Sequence, residues 1–342
     1  MKNGVPSLND VAEQAGVSKS TVSRILNNRL GNGFSVRPEV RLRVIKVAKE
    51  INYRPNLIAK SLTMRSTQMI HILGGNHALS DLGNIYQTVV NNITQVVDSI
   101  AKGYDVTVDM SRHTADSSEM PAWKIDGAII LAACTPATMS EIVQMGIPYV
   151  VVNGACPDDG FSVVPDDIGG TRIALDYFRQ LGHTKIAYSG PLPLYLAGHS
   201  SLQDRHDTYL SEMEYFHLEP IFGSHDTLDS AENYLKEIVL EKGATAILAY
   251  GHMGALNLLQ AAHSLGIAVP EKLSVICFCD EYANQVMSPG LTFIDLGSEK
   301  MGKVAAELLL DQIQHPGQVK PHRIHLKEKL VVRNTTAPPF NQ

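Results

Sequence analysis

Four donor side chains crowd into six positions near the start of the chain. Lys19, Ser20, Ser23 and Arg24 all donate hydrogen bonds. On a helix these offsets fall on one face. Val22, Ile25 and Leu26 then form the opposite, apolar stripe. A donor-lined helix fits the DNA major groove, where base edges present distinct acceptor patterns.

So short a helix needs a partner to hold it. The preceding residues supply one, because Leu8, Val11, Ala12 and Ala15 sit at i, i+3, i+4 and i+7. Ser7 is placed to cap that helix, with Asp10 three positions on as a capping box. Gly16 suits the left-handed position that ends it. Val17 can pack back, and Ser18 caps the second helix. Two short helices about a glycine turn predict a helix-turn-helix. An ordinary helical hairpin with a solvated polar face is the alternative. A third helix is expected from near Pro38 to Asn52, with Val40, Val44, Val47, Ala48 and Ile51 inward. Between the second and third helices, Gly31, Asn32 and Gly33 mark a loop.

Charge separates this head from the rest. The 342 residues carry a net charge of −6. Residues 1–66 contain 12 Lys and Arg against 4 Asp and Glu, a balance of +8, and the remainder contains 17 against 31, or −14. A basic head can release counterions from phosphates, while an acidic body is repelled by them. No apolar run reaches membrane-spanning length, and the N-terminus lacks an apolar export signal. Cys134, Cys156, Cys277 and Cys279 lack C-x-x-C spacing and read as reduced thiols.

From Met69 onward, continuous apolar runs alternate with amphipathic segments. The runs span 69–73, 104–110, 125–133, 147–153, 185–190, 245–251 and 273–280. Such alternation predicts parallel sheets covered by helices on both faces, and seven strands over this length suggest two sheets.

The segments DVAEQAGVSKSTVSRILN and INYRPNLIAKSL resemble the amino-terminal region of the LacI (lac repressor) family. GIPYVVVN, DDIGGTRIALDYF, LGHTKIAYSG, LGIAVPEKLSVICF and PGLTFIDL extend the resemblance over nearly the whole chain. The resemblance implies an all-α helix-turn-helix head on an α/β body, a two-lobed type I periplasmic-binding-protein-like core with parallel sheets flanked by helices. It divides the chain into a DNA-binding domain (1–54), a hinge helix and linker (55–67), an effector-binding and dimerisation domain (68–336) and a tail (337–342). The chain is expected to cross between lobes near 165, 295 and 325. The loop after Asn27 is longer than in relatives by about four residues, and Arg37 stands where they carry a capping Ser, at a cost on the order of 1 kcal/mol.

The family's roles carry over residue by residue. Lys19, Ser20 and Arg24 read bases, while Ser18, Thr21, Ser23, Asn27, Tyr53 and Asn56 position phosphates. Leu62 matches the leucine that wedges into the minor groove, flanked by Ala59 and Lys60. Arg205 in RHDTY matches the arginine that clasps effectors. Asn84, Tyr86 and Asn153 fall at cleft positions, with Ile85 in place of a proline and Asn153 in place of a common Asp. His252, after Gly251, stands where relatives carry Asn-Asp, and Cys279 interrupts Phe-Asp-Asp. These departures argue against a common hexose or purine effector. Cys277 and Cys279 share one strand face, which also leaves open a redox pair.

The implied protein is a cytoplasmic bacterial regulator, associated with the nucleoid when bound to DNA. It is a homodimer on a near-palindromic operator, governed by a small molecule, a sugar or its derivative. No cofactor, metal or membrane partner is expected. A regulator with a degenerate cleft and a soluble solute-binding module are the alternatives. Enzymatic signatures such as G-x-S-x-G, a phosphate loop or H-E-x-x-H do not occur, and on a strand His322 and His325 face opposite ways.

Overall fold

A computed structural model describes residues 6–26, 36–53, 66–75, 85–110, 120–132, 134–154, 156–190, 200–225, 227–279 and 289–340. The chain divides into two compact units, Met1–Thr67 and Gln68–Gln342.

The first unit is helical. Helices α1 (Leu8–Ala15) and α2 (Lys19–Leu26) precede α3 (Pro38–Glu50). The Ser7–Asp10 capping box is complete, with the Ser7 N–H donating to Asp10 Oδ2 at 2.7 Å and the Asp10 N–H donating to Ser7 Oγ at 3.4 Å. Gly16 ends α1 in the left-handed region at φ 63°. Val11, Val22 and Val44, one from each helix, are fully buried in a common cluster. Arg43 closes the corner by donating Nε to the Ala15 carbonyl at 2.9 Å, which satisfies an acceptor that the end of α1 leaves open. Arg37 makes no side-chain cap on α3. That helix stops two residues short of the expected Asn52. Asn52 turns left-handed at φ 52°, and the Tyr53 N–H bonds back to the Ala48 carbonyl at 2.8 Å.

The second unit holds two six-stranded sheets among the described residues. The first sheet is built from β1 (Met69–Leu73), β2 (Asp105–Val108), β3 (Gly127–Leu131), β4 (Tyr149–Val152), β5 (Phe161–Pro165) and β11 (His322–Leu326). Its order is β11-β5-β4-β3-β1-β2, and every pairing is parallel. The second contains β6 (Ile186–Ser189), β7 (Ile221–Phe222), β8 (Ala246–Ala249), β9 (Ser274–Cys279), β10 (Thr292–Asp295) and β12 (Lys329–Val331). Its order is β12-β10-β9-β8-β6-β7, with only β12 antiparallel.

Helices cover both faces of each sheet. On the first, α4 (Ile85–Ile100) and α10 (Ser298–Gln314) pack on one face through Val89, Ile93, Met301 and Leu309, and α5 (Pro136–Gln144) packs on the other through Ile142. On the second, α6 (Asp167–Gln180) and α7 (Ser200–Tyr215) bury Phe178 and Tyr209 against one face. Helices α8 (Thr227–Leu235) and α9 (His252–Ser264) bury Leu235 and Leu258 against the other.

The seven apolar runs all become strands. Five further strands, β5, β7, β10, β11 and β12, lay outside those runs. The chain passes from one sheet to the other between β5 and α6, between β10 and α10, and between β11 and β12. These crossings are tied together, because the Asp166 N–H donates to the Leu326 carbonyl at 2.9 Å and Lys329 pairs with Asp295 at 3.2 Å. The start of the tail is also held in place. Ala337 bonds Ser274 Oγ through its N–H at 3.0 Å and accepts from His183 Nε2 at 2.9 Å.

Candidate nucleic-acid interface and ligand cleft

On α2 the apolar stripe is buried and the donor stripe is presented. Val22 and Ile25 face the head core, while Ser18, Lys19, Ser20 and Arg24 are exposed and Thr21 and Ser23 half-buried. Ser18 caps the helix, accepting the Thr21 N–H at 3.2 Å, and its hydroxyl lies 2.8 Å from those of both Ser20 and Thr21. The three hydroxyls thus cluster at the helix N-terminus, where partial positive charge favours phosphate. Tyr53 is half-buried against the head core, and that burial raises its pKa. Asn27, Asn56, Ala59, Lys60 and Leu62 lie outside the described residues.

In the second unit the carboxyl ends of both sheets supply one polar cluster centred on Arg205. Arg205 is 4% exposed on α7. It donates Nε to Asp167 Oδ1 at 2.6 Å and Nη1 to the Tyr250 carbonyl at 2.7 Å. Nη2 lies 2.6 Å from the same Asp167 oxygen. The guanidinium carbon stands 3.8 Å from the centre of the Phe278 ring and 4.7 Å from that of Tyr250, so the cation lies over two aromatic faces. Burial disfavours its charge, yet Asp167 together with Tyr250, Glu328 and Tyr188 outweighs that effect and holds the guanidinium protonated beyond its usual range.

The other lobe meets this cluster through Asn153 and Tyr86. Asn153 follows β4 with φ 52° and donates Nδ2 to the Tyr86 hydroxyl at 3.0 Å. Its Oδ1 accepts from Ser201 Oγ, on α7 of the opposite lobe, at 3.1 Å. Burial raises the Tyr86 pKa, so its hydroxyl stays protonated. The structure therefore brings together Tyr86, Asn153 and Arg205 of the expected cleft residues. His252 opens α9, half-buried, after an extended Gly251 at φ −155°. Asn84 is outside the described residues.

Cys279 departs from its expected role. Its side chain is buried with Cys277, the two sulfurs 3.9 Å apart, in the cluster formed with α8 and α9. Strand alternation turns Phe278, not Cys279, toward Arg205. Asp167, Tyr250, Ser201 and Phe278 were not singled out from sequence. Asp167 and Tyr250 were findable as residues just beyond strand ends. Phe278 becomes visible only once β9 packs beside α7, and Ser201 only once the lobes meet.

Among the described residues no group of His, Cys, Asp and Glu is arranged to hold a metal, and no helix is long and apolar enough to cross a membrane.

Comparison with known proteins places both units. The family model for bacterial regulatory proteins of the lacI family matches residues 7–56, and that for a periplasmic binding protein-like domain matches residues 175–336. The ribose operon repressor of Halalkalibacterium halodurans is 27% identical over 341 residues, covering 96% of this chain and 97% of the relative. The HTH-type transcriptional repressor PurR of Yersinia pestis is 26% identical over 345 residues, covering 97% of each. In structure, the chain resembles the lac repressor dimer bound to operator and the anti-inducer ONPF, with a TM-score of 0.79 at 23% identity, covering 98% of this chain and 100% of that one.

Proposed function

Because the chain belongs to the LacI family of bacterial regulatory proteins, and is accordingly a DNA-binding transcriptional regulator, we propose that it is a repressor that grips a near-palindromic operator as a homodimer and is governed by a carbohydrate or carbohydrate derivative in the cleft of its body. Lys19, Ser20 and Arg24 read bases in the major groove. Ser18, Thr21, Ser23, Asn27, Tyr53 and Asn56 hold phosphates, and Ala59, Lys60 and Leu62 enter the minor groove. The observation that carries the DNA half is the exposed donor stripe of α2 above a buried apolar one. Two copies related by a two-fold axis meet two half-sites.

Arg205, Asn153 and Tyr86 hold the effector, and Asn84 and His252 complete the set of contacts. Support comes from their convergence at the strand ends of both lobes and from the Asn153–Ser201 bond that joins the lobes. Ligand that favours one lobe arrangement shifts the population and, with it, DNA affinity. Selection of binding sites from random duplexes, read at several salt concentrations, tests the DNA half. A two-fold symmetric consensus with steep salt dependence is expected, and salt-sensitive binding without sequence preference would overturn it.

A regulator with a degenerate cleft is the second reading. What favours it is that Nε, Nη1 and Nη2 of Arg205 all engage protein groups. Calorimetry against sugars separates the two.

A further inference from the structure

Beside Asp166, whose carboxylate caps the Gly169 N–H, three carboxyls gather where the lobes cross, and only two of these have cations. Asp167 is answered by Arg205 at 2.6 Å, and Asp295 by Lys329 at 3.2 Å. Glu328 is the third. It is 7% exposed, and both of its oxygens are buried with no hydrogen-bond partner among the described residues. It presses against α6 at Gly170, where any side chain would collide with the carboxyl. The charged groups that face it are Asp166 and Asp167 of the α6 start, Arg205 of α7 and Asp295 at the end of β10. The hydroxyl of Tyr188, also close to Arg205 and Asp167, is likewise buried without a partner. Buried polar groups are seldom left unsatisfied, and an unanswered carboxyl is among the costlier ones.

We propose that the effector of this cleft carries a basic nitrogen among its hydroxyls, as an amino sugar does, and that Glu328 is the residue that selects for it. This inference rests on reading the cleft as the effector site. An ammonium brings one positive charge and only donors, the complement of an acceptor without a partner. With it bound, Asp167, Asp295 and Glu328 each face a cation, while Asp166 keeps its cap on the Gly169 N–H. An anionic sugar, a uronate or a sugar phosphate, would have to draw Arg205 from Asp167. That strands two like-charged buried groups side by side. A neutral sugar meets the hydrogen bonds but brings no cation, so it leaves the carboxyl in its protonated form and gains nothing from its charge. Glu328 sits on the third crossing, so its cover changes as the lobes part. Burial and the charge of Asp167 favour its protonated form in the empty cleft, so a bound cation displaces that proton.

The test is calorimetry on the full-length protein with glucosamine, glucose, glucuronate and glucose 6-phosphate, at a pH where the amine is charged and in buffers of differing ionisation enthalpy. Expected is binding of the amine about tenfold tighter than its neutral parent, or more, with proton release. Glu328→Gln, which keeps the shape, is expected to remove the preference and the released proton without lowering the melting temperature. Glu328→Met serves as the second variant if the amide fails to fold. An amine that binds no tighter than glucose, a tighter anion, or a preference that survives Glu328→Gln would overturn the inference and leave the cleft reading standing. Failure of every compound to bind would overturn both together.

Discussion

Arg205 points both Nε and Nη2 at one oxygen of Asp167, at 2.6 Å each, although the residues are 38 positions apart. Asp167 opens the first helix after the first crossing, and Arg205 lies on the neighbouring helix α7. Their pairing staples the two helices that line one side of the cleft. Both side chains are almost fully buried, so removing one strands the other as an uncompensated charge.

The first prediction follows from that stranding. Asp167→Leu should destabilise the body by about 3–5 kcal/mol, the usual penalty for breaking a buried pair from one side. Replacing both partners together, as Asp167→Leu with Arg205→Met, should recover much of the loss, because apolar groups of similar volume leave no orphan charge. Denaturant midpoints of the two variants decide it. Equal losses in both would show that the pair contributes packing rather than charge balance.

The head predicts a gain instead. Pro38 stands at the first turn of α3, but Arg37 provides no capping oxygen. Arg37→Ser supplies one to a helix that already has a favourable start, and should stabilise the head by about 0.5–1 kcal/mol. It also deletes a positive charge, so the salt dependence of DNA binding should stay level or soften. A thermal melt that moves down would mean that Arg37 holds the head through a contact other than a cap.

Much of the architecture was readable locally, and the misses have physical causes. The head helices follow from apolar spacing and from Ser7 and Gly16, all within a few residues of what they control. The seven recognised strands are continuous apolar runs. Of the strands outside those runs, three are short or lie at sheet edges, while β5 and β10 are interior strands whose apolar stretches are only two or three residues long. β7 and β12 contain two and three residues, and the exposed edge strand His322–Leu326 reads as polar. Arg205 was legible through the resemblance of RHDTY to the family's motif, and Asp167 and Tyr250 could be placed just beyond strand ends, but their pairing with Arg205 spans 38 and 45 positions and no local pattern encodes it. For Cys279, the spacing gave the shared face with Cys277 but not which layer that face meets.

The C-terminal strap should weaken in mild acid. The Ala337 carbonyl can only accept, so His183 Nε2 is the donor at 2.9 Å, and Nδ1 faces Thr245 Oγ1 at 2.8 Å as the acceptor of a neutral ring. Burial lowers the pKa of His183, and the bond to Ala337 only partly opposes it. A lowered folded-state pKa means that the unfolded chain binds the proton first. Stability from this group is therefore complete above the ordinary histidine value near 6.5, declines as pH falls below it, and levels off below the folded-state pKa. Denaturant midpoints between mild base and mild acid should show that decline, and His183→Gln should flatten it. A slope unchanged by the substitution would place the acid sensitivity elsewhere.

Arg24 separates reading from gripping. Its side chain is exposed in the last turn of α2, five positions beyond Lys19, on the stripe opposite buried Val22 and Ile25. Arginine reads guanine through two parallel hydrogen bonds, and a good pair of this kind discriminates by about 1–3 kcal/mol. Arg24→Ala should therefore cost that amount at the selected operator and relax preference at one base pair in each half-site. Non-specific binding should fall far less, since the phosphate contacts proposed for Ser18, Thr21 and the rest of the basic head would remain. Ser18→Ala should do the reverse, weakening all sequences nearly alike because it removes a helix cap and a phosphate donor together. Competition titrations against a library with each position varied compare the two directly. If Arg24→Ala lowered every affinity by one common factor, the arginine would be a backbone contact, and base reading would fall to Lys19 and Ser20.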